Sequence, residues 1–350
     1  MPTPPSTSRR PLSEVLGATL AALSTVALLL PLIPLFPAPA AAQSGNAPEV
    51  EEWHVEWEGR PRDPHVAPDG RVWFVGQQGN YIAVHDPSTD DSRRYEIPDG
   101  THPHSLIIDD SGTVWYMGNR NATIGRLDPE TGDIREIDAR VADPHTPILD
   151  GEGNLWFTAQ QASRVGRMDL ETEEIDIIDP FPGESVRPYG IKIDPRGRIW
   201  VDLFGTNYLA MIDPETLEVT RYELPREEAR PRRMAITSDG LIWYGDFRGG
   251  YLGRLDPETG EFREWMVPGG EDAAVYAVEV DDRDRIWFSE FGTSNLVGFD
   301  PDTEEFFASV DLSHGVRHMN YDSRTGLLWF CTDAHNCGSA EVGREGVALR

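Results

Sequence analysis

The 350-residue chain carries 60 acidic residues against 31 basic ones, a formal charge of −29 at neutral pH. So acidic a surface repels polyphosphates and anionic lipid, which excludes nucleic acid and the membrane surface as partners. Two cysteines, Cys331 and Cys337, are too few for a four-ligand zinc site, and no histidine spacing completes one.

In chain order, Arg9 and Arg10 precede an apolar run from Val15 to Phe36, followed by Ala40-Ala41-Ala42. This is the layout of an export signal over residues 1–42, cut after Ala42. The stretch SRRPL before the run resembles a twin-arginine signal, predicting a periplasmic or extracellular protein. No later apolar run reaches the length of a spanning helix.

Residues 43–350 are written in repeats. Trp73, Trp115, Trp156, Trp200, Trp243, Trp287 and Trp329 stand 41 to 44 residues apart, each behind a polar turn and an aliphatic residue. In phase with them run turns that open with Asp: Asp86, Asp128, Asp169, Asp213, Asp256 and Asp300, five of them followed by Pro. Asp and Pro suit the first two positions of a tight turn. Each repeat holds four strand-like runs, as in SLIID, TVWYMG, TIGRLD and DIREID. This period and signature predict an all-β, seven-bladed β-propeller. The last repeat lacks its outer strand, while the run EVEEWHVEW after the signal resembles one. Pairing it onto the last blade closes the ring and removes two sheet edges. Cys331 and Cys337 then form either a local disulfide or two free thiols.

Loops entering the first strand of a propeller blade converge on the channel mouth. Counting back 11 residues from each Trp gives Arg62, His104, His145, Tyr189, Arg232, Tyr276 and His318. Their type varies, yet every one is large and can hydrogen-bond, as expected of a ring facing a small ligand. Residues following each Trp give a second ring: Gln77, Asn119, Gln160, Asp202, Asp246, Glu290 and Asp333. Its acids suggest a hard cation, Mg²⁺ or Ca²⁺, on oxygen ligands. The pair His102 and His104 flanks Pro103, which is expected to hold the segment extended and send the two rings to opposite sides.

The stretches RPYGI, LDPETG, LWFT, IGRLD and YELP, spread over the repeats, resemble the streptogramin B lyases, also called virginiamycin B lyases. The resemblance implies a monomeric propeller that opens a cyclic ester or depsipeptide by elimination with Mg²⁺, a base removing the α-proton. That family's signature is Glu-Pro-His opening the last repeat, a second Glu after its Trp, and a substrate-binding His in the sixth repeat. Matched by repeat, His318 takes the place of the catalytic base, and Asp333, Glu290 and Asp246 would hold the metal. Arg62, His104, His145, Tyr189, Arg232 and Tyr276 would contact substrate. Val316, Arg317 and Tyr276 depart from the signature, and an Asp-Pro-His stands instead at Asp143 to His145. Two further readings share the same mouth. One is a non-catalytic propeller binding a small molecule, cyclic peptide or protein; the other is a gluconolactonase-like hydrolase using Ca²⁺ on a lactone.

Overall fold

The computed structural model describes residues 47–343. The expected export signal lies outside the described residues. The described chain forms seven four-stranded antiparallel sheets, so the propeller expectation holds. The strands are named A to D from the channel outward; in blade one they are Pro61–Val66, Val72–Gly76, Tyr81–Asp86 and Asp91–Glu96.

The ring closes as the sequence predicts. Val50–His54 lies antiparallel to Asn336–Glu341, with Val50 opposite Ala340 and His54 opposite Asn336, and forms the outer strand of blade seven. The Glu52 carboxylate accepts hydrogen bonds from the Ser313 N–H at 2.9 Å and the Asn336 amide at 3.1 Å. Trp53 stacks on His85 of blade one, ring centroids 4.6 Å apart. Cys331 and Cys337 face each other on neighbouring strands and are joined as a disulfide.

The repeated residues have distinct physical tasks. Each signature Trp lies on strand B, between blades, and all seven are at most 5% exposed. A buried indole N–H needs an acceptor. In four blades it is the Asp six residues upstream: Asp109, Asp150, Asp194 and Asp281 accept from their Trp at 2.9 to 3.0 Å. The same carboxylates accept backbone N–H groups of the A–B turn, as Asp194 does from Arg196 and Arg198. The outer turn Asp residues act likewise, Asp128 accepting from the Glu130 N–H at 2.8 Å. In blades two, three and five strand C carries Gly because the aromatic residue after the Trp lies across it. A Cβ at Gly125 would stand 1.9 Å from the Tyr116 ring, and one at Gly166 would stand 2.1 Å from Phe157.

Candidate functional site at the channel mouth

Every strand A contains a register shift near its start, so its first residues turn off the sheet toward the axis. The residue before the strand takes a left-handed conformation in five blades, among them His102 at φ 51°. The segment around Pro103 is therefore not extended, contrary to expectation. His102 donates its N–H to Asn80, while His104 is buried in the channel.

The six predicted residues from blades one to six do converge. His104 and His145 stack with ring centroids 3.3 Å apart, and His145 meets the edge of Tyr189 at 4.3 Å. The Tyr189 and Tyr276 hydroxyls hydrogen-bond to each other. The Arg232 guanidinium lies over Tyr189, Phe204, Phe247 and Tyr276, between 4.0 and 4.7 Å from their centroids. Arg62 donates to Gln77 at 2.9 Å and to Asp63 at 3.0 Å.

Blade seven differs. Its A–B hairpin is one residue longer, so counting 11 back from Trp329 stops one position short. Val316 pairs with Thr332, three residues past the Trp, as Val275 pairs with Glu290 in blade six. The residue matching Tyr276 is therefore Arg317. Arg317 indeed reaches the mouth: it lies 4.6 Å from the Phe291 centroid, donates to the Tyr276 hydroxyl at 3.4 Å and to Asp333 at 2.8 Å. His318, expected to be the base, stands one layer deeper, level with Asp63 and Arg233, and faces the bore.

The second ring is also rearranged. Alternate residues of a strand face opposite ways, and the seven chosen residues mix three offsets from their Trp. At the constant offset of four the ring reads Gln77, Asn119, Gln160, Phe204, Phe247, Phe291 and Asp333. Three phenylalanines thus line one side of the mouth. Asp246 turns away, accepting from the N–H groups of Arg230 and Gly249 and pairing with Arg226 at 2.8 Å. Glu290 accepts from the Gly269 N–H and the Thr293 hydroxyl, both at 2.7 Å. Asp333 is held by Arg317 and, at 3.4 Å, by Arg60. Engaged with separate partners, Asp246, Glu290 and Asp333 do not fit a shared Mg²⁺ or Ca²⁺. Among the described residues no group of three or more His, Cys, Asp or Glu is placed to hold a metal.

Electrostatics follow from this cationic crowding. Burial would raise the Tyr189 phenol, but Arg232, Arg62 and Arg233 outweigh it and bring it down to about 8. Burial and then Tyr189 push its partner Tyr276 up. Burial holds His104 and His145 well below the usual imidazole range, helped by neighbouring cations, so both are neutral at pH 7. Asp63 stays ionised despite burial because Arg62 and Arg233 flank it.

The family model for the virginiamycin B lyase family matches residues 48–338. No curated protein matches the chain by sequence. Among solved structures, virginiamycin B lyase from Staphylococcus aureus superposes with a TM-score of 0.75 at 20% identity, covering 84% of this chain and 99% of that one. A catalytically inactive His-to-Ala variant of that enzyme, solved with quinupristin, gives 0.77 at 21% identity, covering 84% and 99%. An extracellular domain of a one-component system, BT4673 from B. thetaiotaomicron, gives 0.64 at 17% identity, covering 83% of this chain and 42% of that one. At these identities the likenesses concern the fold, whereas the family match spans every blade: the chain belongs to the virginiamycin B lyase family.

Proposed function

We propose that this protein is an exported propeller that binds a small ligand at the channel mouth, the ligand carrying a carboxylate on an apolar or aromatic body. The observation that carries this reading is Arg232. Four aromatic rings surround its guanidinium, and among the described residues it has no ion-pair partner. Half-buried Phe204, Phe247 and Phe291 offer an apolar wall beside it, and Arg317 a second cation. A carboxylate reaching these guanidiniums would form charge-assisted bonds while its apolar part covers the phenylalanines.

Elimination of the family type is poorly supported. It needs a group that accepts the α-proton, and the blade-seven mouth position holds a guanidinium, which stays protonated at any working pH. Neutral His104 and His145 and the acidic Tyr189 can each take a proton, but they are 2 to 4% exposed, the imidazoles packed on each other and Tyr189 bonded to Tyr276. With Asp246, Glu290 and Asp333 engaged by separate partners, the reading involves no metal-assisted step. Export is supported by the Cys331–Cys337 disulfide, which suits an oxidising compartment, and by the expected signal.

The test is calorimetric titration of residues 43–350 with N-acetyl-diphenylalanine bearing a free carboxylate, against its C-terminal amide. The acid should bind, the amide about tenfold more weakly, and Arg232→Ala should erase the difference. Equal affinity for acid and amide, or none for either, would refute the reading.

A further inference from the structure

Below the mouth the bore widens into a cavity of about 140 Å³. Strand A residues of all blades build it, with polar His65, Lys192, Arg233 and His318 interleaved among apolar Ile191, Met234 and Val278. The mouth residues above take no part in lining it.

Three observations concern charge in this cavity. First, two buried guanidiniums share one carboxylate: Asp63 lies 3.0 Å from Arg62 and 2.7 Å from Arg233. The other nearby acid, Asp202, is fully buried, and burial pushes it up to about 8, so it is neutral at pH 7. Lys192, the only lysine, is balanced by Glu279 at 3.1 Å, so the one net positive charge belongs to the Arg62–Asp63–Arg233 cluster, whose Arg233 faces the cavity. Second, polar nitrogens point into it without partners. Arg233 is 4% exposed, and its Nε–H has no hydrogen-bond partner among the described residues, nor has His318 Nδ1, which donates or accepts according to tautomer. Buried donors are rarely left unpaired unless a ligand or water meets them. Third, His65 and His318 are both neutral, depressed first by burial and then by Lys192 and Arg233 respectively.

We propose that the bore binds a small oxyanion, a carboxylate or phosphate, between Arg233, Lys192 and the imidazoles of His65 and His318. A negative charge there would supply the missing counterion and satisfy the unpaired donors. It would also favour the imidazolium forms, so binding takes up protons and strengthens as pH falls. This site is independent of the ligand proposed for the mouth.

The test is NMR of the histidine imidazoles in residues 43–350, titrated separately with sodium acetate and inorganic phosphate at constant ionic strength. His65 and His318 signals should shift with one common saturation curve, and their titration midpoints should rise by about one unit. His318→Gln should weaken binding about tenfold, while Met266→Ala, 50% exposed on an outer strand, leaves it unchanged. Acetate saturating first identifies a carboxylate site, and phosphate saturating first a phosphate site; either supports the proposal. No saturable shift with either ion would overturn it, and so would shifts that survive both His318→Gln and Lys192→Gln. The thermal midpoint of each variant, measured alongside, separates lost binding from lost folding.

Discussion

Asp194→Ala tests the assignment of the turn aspartates as structural. The Asp194 carboxylate accepts from the Arg196 and Arg198 N–H groups at 2.9 and 3.0 Å, from Arg198 Nε at 2.6 Å and from the Trp200 indole at 2.9 Å. Trp200 is 0% exposed, so its orphaned N–H would cost about 1–3 kcal/mol. The turn N–H groups can turn to water, and their loss adds about 1 kcal/mol. The sum is about 3 kcal/mol, read as a lower midpoint at unchanged slope in urea denaturation followed by tryptophan fluorescence. Blade five supplies the reverse experiment. There Thr237 replaces the Asp, its hydroxyl donates to Asp239, and the buried Trp243 indole has no partner among the described residues. Thr237→Asn should give that indole an acceptor and stabilise by about 1 kcal/mol. A loss below about 1 kcal/mol for Asp194→Ala, or destabilisation by Thr237→Asn, would refute the reasoning.

Three further outcomes are expected. Deleting residues 47–54 should lower the thermal midpoint by roughly 10 °C or more and promote self-association, since it bares the edge Asn336–Glu341 and uncovers Trp329. Cys331→Ser with Cys337→Ser should cost about 2 kcal/mol, the loop-closure value for so short a span, while leaving the ring closed. Stability should fall as pH drops from about 6.5 toward 4, because His65, His104, His145 and His318 have folded-state values below their unfolded ones and the unfolded chain takes up the protons. Asp150 and Asp194, held low by their turn hydrogen bonds despite burial, extend that loss below about pH 4. A pH-independent urea midpoint from 7 to 5 would contradict the burial of neutral imidazoles.

The blades were legible in the sequence because the Trp, the turn Asp and the strand C Gly each answer a packing need that recurs from blade to blade. Ring closure was legible too, since an orphan outer strand and an incomplete last repeat leave few other pairings. The mouth was read less well, for two reasons. One extra residue in the hairpin from Asp322 to Leu327 breaks the count that works elsewhere, moving His318 from the mouth to the bore and bringing Arg317 up. The search for acids after each Trp also crossed the strand's pleat. It selected Asp246 and Glu290, which face their own loops, and passed over Phe204, Phe247 and Phe291. Holding the offset fixed at four would have found the three phenylalanines from sequence alone. The Asp63–Arg233 ion pair was beyond reach, because it joins blade one to blade five across the bore.

The most direct test of the account is mass spectrometry of quinupristin after incubation with purified residues 43–350, with and without Mg²⁺. With Arg317 at the blade-seven mouth position and the nearby carboxylates engaged elsewhere, the antibiotic should return intact under both conditions. A ring-opened product of unchanged mass would mean that elimination proceeds, contradicting the assignment of the mouth as a binding site alone.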